Sequence, residues 1–208
     1  MLVYTREKLC ISCFIVVTLK WNLDWNSIDM MFYMRKWLLA GSLILAVFAF
    51  GYGQKIQWMS FDEALAAQQK EKRKVVVDVY TKWCGWCKKM DESTFSNPYI
   101  ANYINENFYP VRFDAEETDP IVFQGKNYEY VRNGKRGYHE LAVELTMGRL
   151  SFPTVVFLDE NLSVIQALRG FQSSLRFEQI MTYFAQDYYK DTPWSRYSEN
   201  YHNVRSQN

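Results

Sequence analysis

The sequence predicts an α/β protein in which a central mixed β-sheet is flanked by helices. Three observations predict it: a β-branched run typical of a buried strand at 75–80, a β-hairpin pattern at 154–169, and apolar stripes at helical spacing around them. The predicted order of elements is α-β-α-α-β-α-β-β-α. A chain of 208 residues, of which 49% are hydrophobic, is long enough to bury the core of one compact domain.

Composition excludes several other classes of protein. The 24 basic and 23 acidic side chains leave a formal charge of +1, which argues against a basic nucleic-acid-binding domain, so no nucleic-acid partner is expected. An aromatic content of 17% argues against intrinsic disorder. Nine glycines and five prolines exclude a collagen-like or low-complexity chain, and four cysteines are too few for a small disulfide-stapled scaffold.

The first two elements have clear sequence signals. Ser60 and Glu63 form a capping-box pattern, which starts a helix that runs to about Lys70. The run 75–80 (VVVDVY) then predicts a buried central strand. Its one acid, Asp78, stands out because a buried carboxylate is costly and tends to mark a functional site.

The next elements lead to a second strand. The chain is expected to be helical after Cys87. Asn97 and Pro98 are typical of an N-cap and first helical residue, and an apolar stripe follows them. The segment 109–114 predicts the second strand. The stripe consists of Ile100, Ile104 and Phe108.

The C-terminal half predicts a helix, a hairpin and a final helix. The first helix covers 139–147 and ends at Gly148, with His139 expected on its surface. Strands at 154–159 and 164–169 are joined by a turn at Glu160–Asn161. After Gly170, one amphipathic helix is expected to carry Phe177, Ile180, Met181, Phe184 and Tyr188.

Two segments have weaker signals. Residues 115–137 form an insertion with turn patterns, in which Phe123 and the run 128–131 predict one small hairpin. Residues 191–208 form a polar C-terminal tail with scattered aromatic residues, and its sequence leaves open whether it packs on the domain. The main domain is expected at 54–190.

The N-terminal region predicts export. Residues 37–50 form a short apolar run without charge, Arg35 and Lys36 precede it, and small residues follow. This pattern is typical of a signal peptide at 34–53 that is cleaved after Gly53. Residues 1–33 are then an over-extended start of the chain. The alternative is a membrane anchor through 37–50, although a spanning helix needs about 20 apolar residues.

The cysteines form two pairs with the same spacing but different contexts. Cys10 and Cys13 lie in the leader without a strand-to-helix context, so they carry no functional prediction. Cys84 and Cys87 lie where a predicted buried strand passes into a helix. A zinc half-site is the alternative for this second pair. The expected mature chain offers only His139 and His202 as further ligands, far apart in sequence, so no metal is predicted.

The position of Cys84 and Cys87 favours redox chemistry. A cysteine at a helix N-terminus faces unpaired N–H groups and the positive end of the helix dipole, which stabilise a thiolate. A thiolate attacks disulfides, and a second thiol one turn later is placed to resolve the mixed disulfide. Cys84 is therefore predicted to be the exposed nucleophile and Cys87 the shielded resolving thiol.

The flanking residues resemble the thioredoxin superfamily. The stretch 78–88 (DVYTKWCGWCK) and the later Phe152-Pro153-Thr154 are similar to its motifs. The resemblance is most specific to the thioredoxin-like C-terminal domain of bacterial thiol:disulfide interchange proteins, and it extends to small secreted thioredoxin-like proteins with an insertion before the proline loop. It covers about residues 57–187. The matching positions are Asp78, Tyr80, Trp83, Cys84, Cys87, Lys88, Thr94, Phe95 and Pro98.

The resemblance implies a thioredoxin fold with the insertion before a cis-proline loop, and it implies roles for individual residues. Asp78 matches a buried acid that accepts the proton of the resolving thiol, and Pro153 matches the cis-proline. Phe152 would present its backbone to an extended substrate. The substrate-binding residues are then Trp83, Trp86, Phe152 and Pro153, and the structural residues near the site are Tyr80, Gly85 and Gly170.

The resemblance also implies a function. The chain is expected to be an exported bacterial thiol–disulfide oxidoreductase of the periplasm or secreted fraction, active in redox homeostasis, with no cofactor besides the Cys84–Cys87 disulfide. Cysteine-containing client proteins and a membrane thiol reductase that donates electrons are the expected partners. The Gly-Trp dipeptide between the cysteines departs from the usual Gly-Pro. The alternatives are a thiol oxidase or isomerase and a non-catalytic binding module.

Overall fold

The computed structural model describes residues 55–134 and 136–201. The predictions for the leader, for Cys10 and Cys13 and for His202 lie outside these residues. The helices are α1 Phe61–Lys70, α2 Gly85–Met90, α3 Pro98–Asn107, α4 Glu140–Leu145, α5 Ser174–Ala185, α6 Tyr188–Asp191 and α7 Trp194–Glu199. The strands are β1 Lys74–Tyr80, β2 Phe108–Asp114, β3 Ile121–Phe123, β4 Lys126–Tyr128, β5 Tyr130–Asn133, β6 Arg136–His139, β7 Thr154–Leu158 and β8 Val164–Arg169.

A four-stranded mixed sheet forms the centre, in the order β2-β1-β7-β8. β1 runs parallel to β2, whereas β7 pairs antiparallel with both β1 and β8. The buried run at 75–80 is therefore a central strand, and the predicted α/β class with a mixed sheet is confirmed. No helix in the described ranges is long and apolar enough to cross a membrane.

The alternation along β1 decides where Asp78 lies. Val75, Val77 and Val79 belong to the apolar cluster that α1 and α4 cover. Val76 belongs to the opposite cluster, which includes Met90 at the end of α2. Because side chains alternate along a strand, Asp78 shares the face of Val76 and lies on the side of the sheet that carries the cysteine helix.

The local signals for two helices are confirmed. The Ser60 hydroxyl accepts the Glu63 N–H while the Glu63 carboxylate accepts the Ser60 N–H, so the capping box starts α1. Asn97 caps α3 by accepting N–H groups from Tyr99 and Ile100. These signals act within a few residues, which is why the sequence alone reveals them.

Three predicted details of the C-terminal half differ from the structure. The turn between β7 and β8 is longer than Glu160–Asn161, because the Asp159 carboxylate accepts the N–H groups of both Asn161 and Ser163. The final amphipathic helix ends at Ala185, since Asp187 has a φ of 61° and breaks it. Tyr188 therefore belongs to α6 and not to the same helix as Phe177.

The insertion contains two hairpins where one was predicted. β3 pairs with β4, and β5 pairs with β6. Phe123 and Tyr128 lie in the first hairpin, as members of the cluster under α1. The predicted strand 128–131 is divided, because pairing changes partner after Tyr128.

The described part of the tail packs on the domain. Tyr197 and Tyr201 are buried in the same apolar cluster as α5. The Tyr201 hydroxyl donates a hydrogen bond of 2.8 Å to Glu178 on α5. The sequence left open whether the tail packs on the domain, and these contacts show that it does for residues up to 201.

His139 is fully buried, which contradicts its predicted surface position. Its Nδ1 accepts the Leu141 N–H at 3.2 Å and so caps α4, while its Nε2 lies 3.1 Å from the Asp119 carbonyl oxygen. The ring also contacts Phe113 edge-on. The helix prediction missed this role because the burial comes from the insertion, which folds over the ring.

We expect His139→Ala to lower the free energy of unfolding by about 2 kcal/mol or more, since it removes a cap and leaves a cavity. His139→Asn is the matched control, because asparagine can also accept the N–H at an N-cap. Urea unfolding at neutral pH compares the variants, and equal stability of His139→Ala and wild type would contradict the capping role.

The same residue gives a pH dependence. Burial lowers the pKa of His139 below its usual 6.5. The unfolded chain therefore takes up a proton on this histidine at a higher pH than the folded protein does, so the contribution of His139 to stability falls as the pH drops below about 6.5. The His139→Asn variant lacks this titrating group. Wild type should therefore lose stability relative to this variant as the pH falls from 7.5 to 5.5. A difference that stays constant with pH would contradict this expectation.

Candidate functional site

Cys84 and Cys87 form a disulfide at the junction between β1 and α2, with their Cα atoms 5.3 Å apart. Cys84 is the N-cap of α2, and its Sγ accepts the backbone N–H of Cys87 at 3.0 Å. The N–H of Cys84 donates to the Thr81 carbonyl oxygen, which closes the turn out of the strand. The sulfur of Cys84 thus lies where a thiolate gains from helix N–H groups and dipole.

The predicted difference in exposure between the cysteines is absent in this oxidised state. Cys84 is 5% and Cys87 is 3% exposed, so both are buried. The disulfide and the N–H of Cys87 hold the Cys84 sulfur against the first turn of the helix. Assignment of the nucleophile therefore rests on the position of Cys84 at the helix N-terminus.

Aromatic rings surround the disulfide at the surface. Trp83 and Trp86, which flank it in sequence, are 52% and 63% exposed. The Trp83 ring meets Phe152 edge-on at 5.9 Å between centroids, and the Trp86 ring lies 5.7 Å from Phe171. The structure thus brings Trp83 of the cysteine loop and Phe152 of the proline loop into direct contact. Phe171 was not singled out from the sequence.

The proline loop lies beside the last strand. The Phe152–Pro153 peptide bond is cis. The Pro153 carbonyl oxygen accepts the Gly170 N–H at 2.8 Å, and Gly170 has a φ of 82°, a conformation that favours glycine. Gly85 has no such requirement, since a Cβ there would meet nothing within 4 Å.

Asp78 is a buried acid, only 1% exposed. Its Oδ1 has no hydrogen-bond partner among the described residues. Burial raises the pKa of Asp78 from 3.8 to about 7, and the nearby Arg112 guanidinium partly opposes that rise. A carboxyl group with such a pKa can exchange a proton near neutral pH.

Arg112 is the principal site residue that sequence reasoning missed. It faces Asp78 across the β1–β2 pair, and its Nε lies 3.8 Å from Asp78 Oδ2. The other two guanidinium nitrogens bind both oxygens of Asp91 at 2.8 and 2.7 Å. The guanidinium also lies over the rings of Tyr80 and Trp58. Tyr80, expected near the site, thus contacts the cation that faces the acid.

This arrangement gives a testable effect on proton transfer. Removing the positive charge with Arg112→Gln should raise the pKa of Asp78 further, so the pH profile of disulfide exchange moves to higher pH. The lost bidentate ion pair should also lower the free energy of unfolding by about 1–2 kcal/mol. Stopped-flow exchange rates across pH 5–9 would measure the shift.

Arg73→Gln provides the matched control for this substitution. Arg73 also lies over an aromatic ring, that of Tyr109, and pairs with Glu71 at 2.9 Å. It has no ion pair with Asp78 among those found in the described chain. An equal shift of the pH profile in both variants would contradict a specific role of Arg112.

The insertion also reaches the site, which the sequence did not indicate. The Glu116 carboxylate accepts the Trp83 indole N–H at 3.0 Å. The Arg136 guanidinium lies over the Trp83 ring at 5.1 Å, and the Tyr138 ring lies 6.0 Å from that of Phe152. Two of the three predicted substrate-binding aromatics, Trp83 and Phe152, therefore contact residues of this segment or its end.

Within residues 55–134 and 136–201, no group of three or more His, Cys, Asp or Glu side chains is arranged to hold a metal ion. The described pair Cys84–Cys87 is joined as a disulfide.

Several curated proteins match part of the chain. Spermatogenesis-associated protein 20 of Rattus norvegicus is 35% identical over 67 residues, which are 32% of this chain and 8% of that protein. An uncharacterised protein of Archaeoglobus fulgidus is 30% identical over 80 residues, which are 38% of this chain and 63% of that protein. The chain thus spans less than two thirds of each of these relatives.

Several solved structures are similar to this chain at low sequence identity. A thioredoxin from Thermus thermophilus has a TM-score of 0.46 and 20% identity, covering 62% of this chain and 86% of that one. A thioredoxin-fold protein from Helicobacter pylori has a TM-score of 0.49 and 16% identity, covering 64% and 86%. The DsbD C-terminal domain of Neisseria meningitidis, in its reduced form, has a TM-score of 0.39 and 21% identity, covering 59% and 96%.

The family model of the thioredoxin-like domain matches residues 61–185, which extend from the first residue of α1 to the last residue of α5. This range includes the disulfide, Asp78, Pro153 and the insertion. The chain therefore belongs to the thioredoxin-like domain family of the thioredoxin superfamily.

Proposed function

We propose that this protein is an exported thiol–disulfide oxidoreductase that reduces disulfides of client proteins. The observation that carries the proposal is the Cys84–Cys87 disulfide at the start of α2, with Asp78 buried on the same side of the sheet. A reactive dithiol needs a stabilised thiolate and a group that can take a proton, and in this proposal the start of α2 supplies the first and Asp78 the second.

The reaction begins with the reduced dithiol. The Cys84 thiolate attacks one sulfur of the client disulfide, forms a mixed disulfide and releases the other client sulfur as a thiolate. Cys87 then loses its proton to Asp78, and its thiolate attacks the Cys84 sulfur. This step breaks the mixed disulfide, forms the Cys84–Cys87 bond and releases the second client thiolate. Two electrons pass to the client, whose thiolates take up protons.

The rim of aromatic rings supports a protein as substrate. Trp83, Trp86 and Phe152 form an apolar surface around a buried disulfide, which suits a client segment that lies across it. Pro153 has a steric role in this proposal and takes part in no chemical step. Its ring and the backbone of Phe152 border the place where the client chain would lie. A peptide in extended conformation can then present its disulfide to Cys84.

The proposed cycle requires an electron donor. Each turnover leaves the Cys84–Cys87 disulfide, so an external dithiol must reduce it again. A membrane thiol reductase is the donor we propose, because the signal-peptide pattern at 34–53 predicts a compartment outside the cytoplasm. No organic cofactor or metal takes part in the proposed cycle.

Reduction of insulin in the presence of dithiothreitol tests the enzymatic function. Wild type should accelerate the precipitation of the insulin B chain, and Cys84→Ser should leave only the rate of dithiothreitol alone. Absence of any acceleration by wild type would overturn the proposal and favour a binding module. Lys55→Gln serves as the matched control, since Lys55 is exposed and has no role in the reaction.

A further inference from the structure

We propose that the β5–β6 hairpin of the insertion is a client-recognition element, in which Arg136 selects clients that carry an acidic side chain beside their reactive disulfide. The inference rests on the proposed function, because it names the class of client that the same site accepts. It assigns a purpose to the insertion, which the chemistry of the cysteines does not require.

The hairpin presents one face to the site. Arg136 pairs with Asn133 and Tyr138 pairs with Val131 across the two strands. Residues two apart on a strand point to the same side, so Arg136 and Tyr138 share a face. On that face the Arg136 guanidinium lies 5.1 Å from the Trp83 ring centroid, and the Tyr138 ring lies 6.0 Å from that of Phe152.

β6 is held to the rest of the domain at its His139 end and packs closely on β5 near its start. His139 donates its backbone N–H to the Ala115 carbonyl oxygen at 2.8 Å, directly after β2. At Gly137 an added Cβ would lie 2.5 Å from the Val131 carbonyl oxygen and 2.7 Å from the Tyr130 ring, so only glycine permits this close packing. The hairpin is therefore closely packed, and one of its faces contacts Trp83 and Phe152.

Arg136 brings an exposed positive charge to this face of the hairpin. Its side chain is exposed, and no ion pair of Arg136 is found within the described ranges. The nearby Glu116 carboxylate accepts the indole N–H of Trp83. The neighbouring Lys82 is paired with Asp114. A guanidinium held over an aromatic ring keeps its N–H edges available to bind a carboxylate in two hydrogen bonds.

This geometry defines the client. The guanidinium lies over the Trp83 ring, and Trp83 directly precedes Cys84 in the chain, so the recognised carboxylate is expected within a few positions of the client cysteine. An aspartate or glutamate in an extended segment meets this requirement. A basic residue at the same place would meet a like charge, which lowers the association rate and affinity.

The experiment compares two disulfide peptides that differ only in the residues flanking the cysteine, glutamate in one and lysine in the other. The full-length reduced protein is assayed for kcat and KM with each peptide, and with hydroxyethyl disulfide as a small neutral substrate. The variants are Arg136→Glu and Arg136→Gln. Arg132→Glu is the matched control, because Arg132 pairs with Gly137 and lies on the opposite face of the same hairpin.

We expect wild type to prefer the glutamate peptide by about tenfold in kcat/KM, mainly through KM, and this preference should weaken as salt increases. Arg136→Gln should abolish the preference, Arg136→Glu should invert it, and Arg132→Glu should retain it. The Arg132→Glu variant should reduce hydroxyethyl disulfide at the wild-type rate. If Arg136→Glu fails to fold, Arg136→Gln gives the deciding comparison.

Equal kcat/KM for the two peptides in wild type would overturn the inference, and so would an identical loss in the Arg132 and Arg136 variants. In those cases normal reduction of hydroxyethyl disulfide would leave the proposed function intact. If wild type reduces neither the peptides nor hydroxyethyl disulfide, the proposed function fails, and this inference fails with it.

Discussion

Cys87→Ser should convert the protein into a trap that holds its clients as stable mixed disulfides. The thiolate of Cys84 still attacks a client disulfide, but the variant lacks the second thiol that would release the client. Catalytic turnover should therefore fall to the uncatalysed rate, while a covalent adduct accumulates close to one client per protein. Non-reducing gel electrophoresis and intact mass spectrometry measure the adduct, and added dithiothreitol should release it.

Cys84→Ser is the matched control for this trap. It removes the sulfur at the N-cap of α2, and serine retains an oxygen that can cap the same N–H. The helix should therefore persist, but neither adduct nor turnover is expected. If Cys84→Ser formed the stable adduct and Cys87→Ser did not, the assignment of nucleophile and resolving thiol would be reversed.

Asp78→Asn is expected to make the protein more stable and less active. Burial raises the pKa of Asp78 from 3.8 to about 7. Between these two pH values the folded protein therefore keeps a proton that the unfolded chain has already lost. The contribution of Asp78 to the free energy of unfolding therefore declines as pH rises from about 4 to 7. The asparagine variant lacks this decline and should be more stable at pH 8 by up to about 4 kcal/mol.

The same substitution should slow the resolving step. Without a carboxylate to accept the proton of Cys87, release of the client should fall by on the order of 100-fold at pH 7.5. The rise in rate through pH 7 should also disappear. Urea unfolding at pH 5 and 8 and stopped-flow exchange give both quantities. A variant that is no more stable at pH 8 and exchanges disulfides normally would contradict the role of Asp78.

Much of the fold follows from signals that act over short distances. The capping box at Ser60, the N-cap at Asn97 and the apolar run of β1 are each contained within a few residues, and each is confirmed. Asp78 stood out because a single acid in such a run violates local hydrophobic patterning. Its burial is confirmed, whereas its catalytic role stays a prediction.

The parts that sequence reasoning missed depend on contacts between distant segments. Arg112 meets Asp78 only because β1 and β2 pair in parallel register. His139 is buried because it lies beneath the insertion, and Arg136 reaches Trp83 across more than fifty positions of the chain. Side-chain spacing within one segment contains no information about such pairings. A charged residue inside a strand, as at Arg112, was the one available signal.

The reduction potential of the Cys84–Cys87 pair decides whether it works as a reducing dithiol. The potential is obtained by equilibrating the protein with defined ratios of reduced and oxidised dithiothreitol or glutathione, and by counting free thiols by mass spectrometry after alkylation. We expect a value close to the thioredoxin figure of about −270 mV, at which the dithiol reduces most client disulfides. A value of about −120 mV, typical of a strong oxidant, or a pair that does not cycle between dithiol and disulfide, would contradict a reducing role.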